Sequence, residues 1–361
     1  MFTIQPTKLQ SYLSQRSEQL SPNCHRSFFA SWEDALWEIL KRKKIEHGVV
    51  LVPDFFCVDV INNMKEHGLE SIFYRLDKNL QPNKADFIEK LSKSKPAIVI
   101  LFHAVGIQNT LLDSFNTWQG LLPTGTLLIE DSVHRVLSLK EVRILHPNHI
   151  IIDSLRKVVP LMGAQCITHE SFALKPAAPN PATRKYGRQL IWLWLQFQYY
   201  LYRAAYSNSG ARSNRWNVLA EKAMTAGYDL IGDNYAGAAG PRIFSWLSKH
   251  VNVASIRSSK LWQVAVYQKL LKSVLKNNSW LKLIPFTDAA QLRGYPLVVD
   301  NSQAQKFITS LRKNGLLVRY ELLGCPWSDR QKIIYLPLGP HLSTSDIDAV
   351  CEFLERAAHG F

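Results

Sequence analysis

Two residues of this 361-residue chain are placed to share one piece of chemistry. The stretch His149-Ile-Ile-Ile-Asp-Ser-Leu-Arg-Lys157 reads as a short apolar strand running into a polar turn that ends in a lysine. Upstream, Thr126-Leu-Leu-Ile-Glu-Asp131 reads as a second such strand, closed by an acidic pair. A lysine amine condenses with an aldehyde to a Schiff base, and an aspartate beside a pyridine nitrogen keeps that nitrogen protonated, so that the ring acts as an electron sink. At the ends of two strands of one α/β domain, Lys157 and Asp131 are what pyridoxal phosphate asks of a protein. Arg156 favours the neutral form of the amine beside it. Taken alone, Lys157 is one more cation in a chain with 43 Lys and Arg, and Asp131 is a strand-end carboxylate that caps a helix. The strand context lifts the pair above that reading.

Such a pair needs a fold that brings strand ends together. Apolar runs at 49–52, 71–76, 97–102, 126–130, 149–153 and 164–168 predict buried strands. Helical spacing between them predicts helices at 32–43, 56–67, 83–91 and 111–122. Ser31 takes the N-cap position of the first helix, with Asp34 three residues on. This alternation is the signature of βαβ units and a mainly parallel sheet. Ligands of open α/β sheets gather at the carboxyl ends of the strands, where Pro53, His103, Asp131 and the turn to Lys157 all fall. Residues 1–26 read as an N-terminal arm, 171–255 as helical and irregular, and 254–275 as a long helix. The last hundred residues predict a small α+β unit with strands at 294–299, 316–319 and 333–336, a helix at 302–314, and a closing helix capped by Ser343. The expected division is a large domain of 1–255 and a small one of 256–361.

Lys+Arg exceed Asp+Glu by 14, which favours anionic partners. Without zinc-finger spacing or an RNA-recognition signature, nucleic acid is not an expected partner. The tightest basic run, Lys41-Arg-Lys-Lys44, ends a predicted helix, where cations suit the dipole. Cys24, Cys57, Cys166, Cys325 and Cys351 are odd in number and widely spaced, so neither a disulfide framework nor a zinc site is suggested. A reducing cytosol fits. The first residues lack the pattern of a signal peptide. Gln189-Leu-Ile-Trp-Leu-Trp-Leu-Gln-Phe-Gln-Tyr-Tyr-Leu-Tyr-Arg203 is strongly aromatic and follows Arg184, Lys185 and Arg188. Its uninterrupted apolar runs fall well short of the ~20 residues of a spanning helix. A helix packed in a subunit or domain interface is the favoured expectation, and a helix lying on a membrane surface the second.

The order of these features resembles the fold-type I pyridoxal phosphate enzymes, specifically the DegT/DnrJ/EryC1/StrS aminotransferases. Val50-Leu-Val-Pro53 with Phe55-Phe56-Cys57 resembles the family's VIVP strand and aromatic turn. Phe102-His103 with Gly106 resembles VHxxG, Ile129-Glu-Asp131 resembles IED, and Ser154-Leu-Arg-Lys157 resembles the Schiff-base segment. Leu336-Pro-Leu-Gly-Pro-His341-Leu-Ser-Thr-Ser-Asp346 is similar to the C-terminal LPLHPxLSDED. The likeness covers roughly residues 28–356 and is weakest over 170–250. It implies a Schiff base at Lys157, a pyridinium partner in Asp131, and a phosphate at the start of the helix after Ser31, with Trp32 there and Ser154 as a further donor. It also implies an aromatic ring stacked on the cofactor, for which Phe56 is the candidate, although strict register falls on Cys57. His103 packs near the ring or substrate in this reading, and His134 buttresses Asp131; a satisfied structural histidine is the alternative for each. Asn234 resembles the asparagine of a GxNY loop that reaches a partner subunit's cofactor phosphate.

The implied activity is amino transfer from an amino-acid donor to a keto acceptor, such as a keto-sugar nucleotide, by a cytoplasmic homodimer. Two segments depart from the pattern. Pro160-Leu-Met-Gly-Ala-Gln165 holds a single glycine where the family is glycine-rich, and Arg319-Tyr-Glu-Leu-Leu-Gly-Cys-Pro-Trp327 replaces its HYPxPLH segment. Sugar dehydration on this scaffold normally replaces the lysine with histidine, so Lys157 argues against that reaction. A non-catalytic relative that uses the fold as a binding or membrane-associated module is the remaining alternative, suggested by the missing glycines and the aromatic helix.

Overall fold

The computed structural model describes residues 2–3, 9–176, 191, 194–195, 197–202, 204–205, 214–232, 237–313 and 316–359. Seven strands form the main sheet: β1 Cys24–Phe29, β2 Gly48–Pro53, β3 Leu69–Tyr74, β4 Ile98–Phe102, β5 Leu127–Asp131, β6 His149–Ile152 and β7 Ala164–His169. Their order is β1-β7-β6-β5-β4-β2-β3. The pairs from β3 to β6 are parallel, and β7 runs antiparallel to both its neighbours. Every residue of β4 and of β6 is buried, which is why these strands read as continuous apolar runs rather than alternating ones. The register sets Asp131 beside Phe102 on one side and Ile152 on the other. Lys157, five residues beyond Ile152, is therefore delivered to the same sheet edge as Asp131.

Helices α1 Trp32–Lys43, α2 Val58–Glu66 and α3 Lys84–Ser94 link the strands. The caps act as their residue types predict. Ser31 Oγ accepts from the Asp34 N–H at 3.0 Å and donates to Asp34 Oδ2 at 2.9 Å. Asn83 caps α3 through the Asp86 N–H. The expected helix at 111–122 forms only as Thr110–Asp113, followed by 3-10 turns at Phe115–Thr117 and Gln119–Leu121. Leu112, Phe115 and Trp118 are three apart, a spacing that suits the 3-10 repeat as well as the α-helix. The buried Trp118 indole fixes the tighter form by donating to the Leu111 carbonyl at 2.8 Å. The N-terminal arm is also shorter than expected, because Cys24–Phe29 is the edge strand β1. Its polar first half gives no period for a sequence reading to find.

The C-terminal third carries a second, antiparallel sheet of β8 Leu281–Leu283, β9 Tyr295–Asp300 and β10 Gln331–Leu336, in the order β10-β9-β8. Helices Asn301–Lys313 and Thr344–His359 accompany it. Leu316–Leu317 pairs with Phe2–Thr3 instead of joining this sheet. The helix expected over 254–275 runs over Val253–Leu270 and restarts as Lys272–Asn277. One hydrophobic cluster continues from the main sheet into the smaller one, taking in Phe55, Phe102, Tyr295, Trp327 and Leu336.

Candidate active site

Lys157 closes the short turn Leu155–Lys157 that follows β6. Among the described residues its amine has neither a hydrogen bond nor an ion pair. Burial lowers its pKa to about 7, helped by the charges of Arg293, Arg156 and Arg319 and opposed by Glu321. Asp131 is 3 % exposed at the end of β5. One carboxylate oxygen accepts the Val133 N–H at 3.1 Å. Burial raises this acid to about 7, against the pull of Val133 and of Lys157. Each group is displaced toward neutrality by desolvation, and each would recover its charge on meeting an opposite one. A pyridinium N–H is such a partner for Asp131, and the lysine end needs only a neutral amine.

The phosphate end departs from expectation. The Ser31 hydroxyl is spent on the α1 cap, and Glu33 and Asp34 fill the first turn. Asp34 is occupied by Ser31 and by the Ala238 N–H at 2.9 Å. Burial raises the Glu33 carboxyl, with Arg156 opposing. Trp32 offers a donor of its own: its Nε1 is buried and has no hydrogen-bond partner among the described residues. Ser154 precedes the Lys157 turn, and its side chain makes no cap bond. The residues present thus fit pyridoxal phosphate at its aldehyde and ring-nitrogen ends, and for the phosphate they offer Trp32, Ser154 and Arg156.

Phe56 packs edge-on against Phe102 at 5.6 Å and against Trp32 at 6.5 Å, so its ring belongs to the core. Cys57 opens α2 close enough for the Lys157 charge to act on its thiol, whose pKa burial raises. His103 is fully buried as a structural histidine: Nε2 meets Glu130 at 2.9 Å, and Nδ1 accepts the Asn109 N–H at 3.2 Å. Burial works to raise Glu130, but His103 and His149 hold it well below the carboxylate range. His134 turns away from the role of buttressing Asp131. Its Nδ1 accepts the Val105 N–H at 3.2 Å, and its Nε2 lies 2.8 Å from Arg293 and 3.7 Å from Glu321. Burial and the Arg293 charge keep it neutral. Asn234 lies outside the described residues. A cavity of about 320 Å³, lined by Glu130, Arg135, Glu141 and Arg257 among others, includes neither Lys157 nor Asp131.

Sequence reasoning missed Arg293 and Glu321. They form a buried ion pair at 2.7 Å, with side chains 4 % and 3 % exposed. The Arg293 N–H also donates to the Val105 carbonyl at 2.9 Å, so the pair ties the smaller sheet to the loop after β4. The available signal was the departure at 319–327, where Glu321 stands in a segment that matches no family pattern.

No family model matches the chain, and no curated protein does. Solved structures do. A Streptococcus pneumoniae protein described as a sugar aminotransferase, Spr1654, superposes with a TM-score of 0.62 at 11% identity, over 99% of this chain and 98% of that one. The aminotransferase TlmJ of Streptoalloteichus hindustanus gives 0.58 at 16% identity, over 94% and 86%. A DegT/DnrJ/EryC1/StrS aminotransferase of Brucella abortus gives 0.52 at 14% identity, over 91% and 85%. The chain has the fold-type I aminotransferase fold. In that fold the carboxyl ends of β5 and β6 carry Asp131 and the Lys157 turn, so the pair read from the sequence stands at a sheet edge suited to a ligand.

Proposed function

We propose that the chain is a pyridoxal-phosphate-dependent aminotransferase that moves an amino group from an amino-acid donor to a keto acceptor. The observation that carries this reading is the pairing, at one sheet edge, of a lysine and an aspartate that burial brings to about the same pKa from opposite directions. With its pKa lowered to about 7, Lys157 Nζ has a large neutral, nucleophilic fraction at neutral pH that rises with pH, and it takes and returns the proton that moves between carbon atoms. The Asp131 carboxylate holds the ring nitrogen in its protonated form. Trp32 Nε1, Ser154 and Arg156 hold the phosphate. Bound there, the cofactor supplies an electron sink. The buried Arg293–Glu321 pair supplies fixed charges that act on the lysine.

A keto-sugar nucleotide is the acceptor we favour, since its diphosphate suits the basic chain and sugar aminotransferases are among the structures with this fold. A homodimer, a cytoplasmic location, and a division into a cofactor-binding domain of 1–255 and a smaller domain of 256–361 belong to the same proposal. The test is to add pyridoxal phosphate to the purified protein and record its visible absorbance. Wild type gains a visible band that borohydride abolishes while fixing the cofactor covalently to the protein, and K157A gains no such band. A band that survives in K157A refutes the assignment. The non-catalytic reading rests on the acidic first turn of α1 and the committed Ser31 hydroxyl; wild-type protein that stays colourless would favour it.

A further inference from the structure

We propose that the cavity beside Arg135 is a binding site for a small organic anion, separate from the Lys157 site. The cavity measures about 320 Å³, near the lower end of the roughly 300–1,000 Å³ of ligand pockets. Its lining includes Glu130 and Ile151, register partners on β5 and β6. Successive strand residues point to opposite faces, so the cavity lies on the sheet face away from Asp131. The informative side chain is Arg135. Of its three nitrogens only Nη1 is engaged: it donates to Gln108 Oε1 and lies 3.4 Å from His103 Nε2. Among the described residues, no carboxylate pairs with Arg135, and its Nε and Nη2 make no hydrogen bond. Those two nitrogens form one edge of the guanidinium, and their N–H groups match the two oxygens of a carboxylate or phosphate.

Hydrogen-bonding capacity selects the occupant. The formal charges of the lining balance, with Arg135, Arg143 and Arg257 against Asp113, Glu130 and Glu141. The acceptors, however, are already in use. Glu141 is held by Arg257 through two contacts of 2.6 Å. Glu130 meets His103 at 2.9 Å and His149 at 3.2 Å. Asp113 is exposed and accepts from Gln108 at 3.2 Å. What remains unused is donors. Beside the open edge of Arg135, the buried Arg257 Nε has no partner among the described residues, and Arg143 is exposed at the rim. An oxyanion satisfies such a site, whereas a cation would find its acceptors taken. Leu112, Val136 and Leu145 line the same space, so the occupant carries a short apolar body behind its oxyanion. A carboxylic acid or a phosphate ester of a few carbons has this chemistry.

The experiment is calorimetric titration of the full-length protein with succinate and with glycerol 2-phosphate, each against chloride at matched ionic strength, together with the melting temperature in each. One or both oxyanions bind saturably and raise the melting temperature where chloride does not, and the arm that responds tells carboxylate from phosphate. R135M lowers that affinity roughly tenfold or more, as loss of a charge-assisted fork does. R135K keeps the charge without the fork and also binds more weakly. R143E changes only an exposed rim position and weakens binding about twofold to fivefold. R135M and R143E keep the wild-type circular dichroism and the visible band with pyridoxal phosphate. Neither saturable heat nor a melting shift in wild type, or unchanged affinity in R135M and R143E, overturns the proposal. Binding that R156M removes and R135M retains places the anion in the cofactor site and overturns it too. Failure of the cofactor reading appears separately, as wild-type protein that gains no visible band while the anion still binds.

Discussion

At the scale of single residues, the site is built by desolvation acting on two opposite charges. The ordinary lysine value is near ~10.4 and the ordinary aspartate value near ~3.9; burial brings both to about 7. Between about pH 7 and 10, the unfolded chain binds a proton at Lys157 that the folded chain does not, so this group's contribution to stability rises with pH across that window. Asp131 works the other way. Between about pH 4 and 7 the folded chain holds a proton that the unfolded chain has lost, so its contribution falls as pH rises through 7. K157M in the cofactor-free protein should therefore raise the melting temperature most below pH 7, with the gain fading toward about pH 10. D131N should raise it above pH 7 and hardly at all below about pH 4. Melting curves across this range check both signs. The rate of pyridoxal phosphate uptake should rise with pH about a midpoint near 7, and R156M should move that midpoint upward by removing a cation that favours the neutral amine.

Among the elements, the junction between the loop after β4 and the smaller sheet depends on one glycine. Gly106 has φ +92°, and a Cβ there would come within 2.9 Å of both the His134 carbonyl and Leu292 Cα. That close approach lets Arg293 reach Val105 and His134. G106A should cost about 2–4 kcal/mol in chemical denaturation, since it combines a left-handed backbone with contacts that cannot give. The glycine was legible as part of a His103-x-x-Gly106 pattern, but its physical reason was not, because the residues that crowd it come from positions 134 and 291–292. The first helix was read down to its cap, which forms as a local bond between residues three apart. The 111–122 segment was misread because its apolar spacing permits two helix types and the choice falls to one indole hydrogen bond.

Across the whole molecule, the smaller sheet is held on the larger by a wedge. Trp327 is buried against Phe55 at 5.1 Å, its indole donates to the Asp77 carbonyl at 3.0 Å, and its backbone N–H donates to the Asp54 carbonyl at 3.1 Å. Arg330 adds an ion pair to Asp54 at 2.6 Å. W327A should cost about 3–5 kcal/mol, as the loss of a buried tryptophan does. It should also loosen the side of the site that carries Glu321, read as faster loss of bound pyridoxal phosphate on dilution. D54N should lose much less stability, because Arg330 is half exposed and water replaces its partner.

What the sequence determined by itself was local or periodic. Apolar runs determined the parallel strands, the polar residues at their ends marked the carboxyl side of the sheet for which the site is proposed, and Ser31 and Asn83 determined their own helix starts. Lys157 and Asp131 were legible because strand register alone brings them to one edge. The tertiary structure decided what depends on groups far apart in the chain: the buried Arg293–Glu321 pair, the turning of His134 toward it, and the commitment of Ser31 to its cap. No period encodes such contacts. Each depends on which surfaces meet once the two sheets have packed, and on how much water that packing removes from the charges between them.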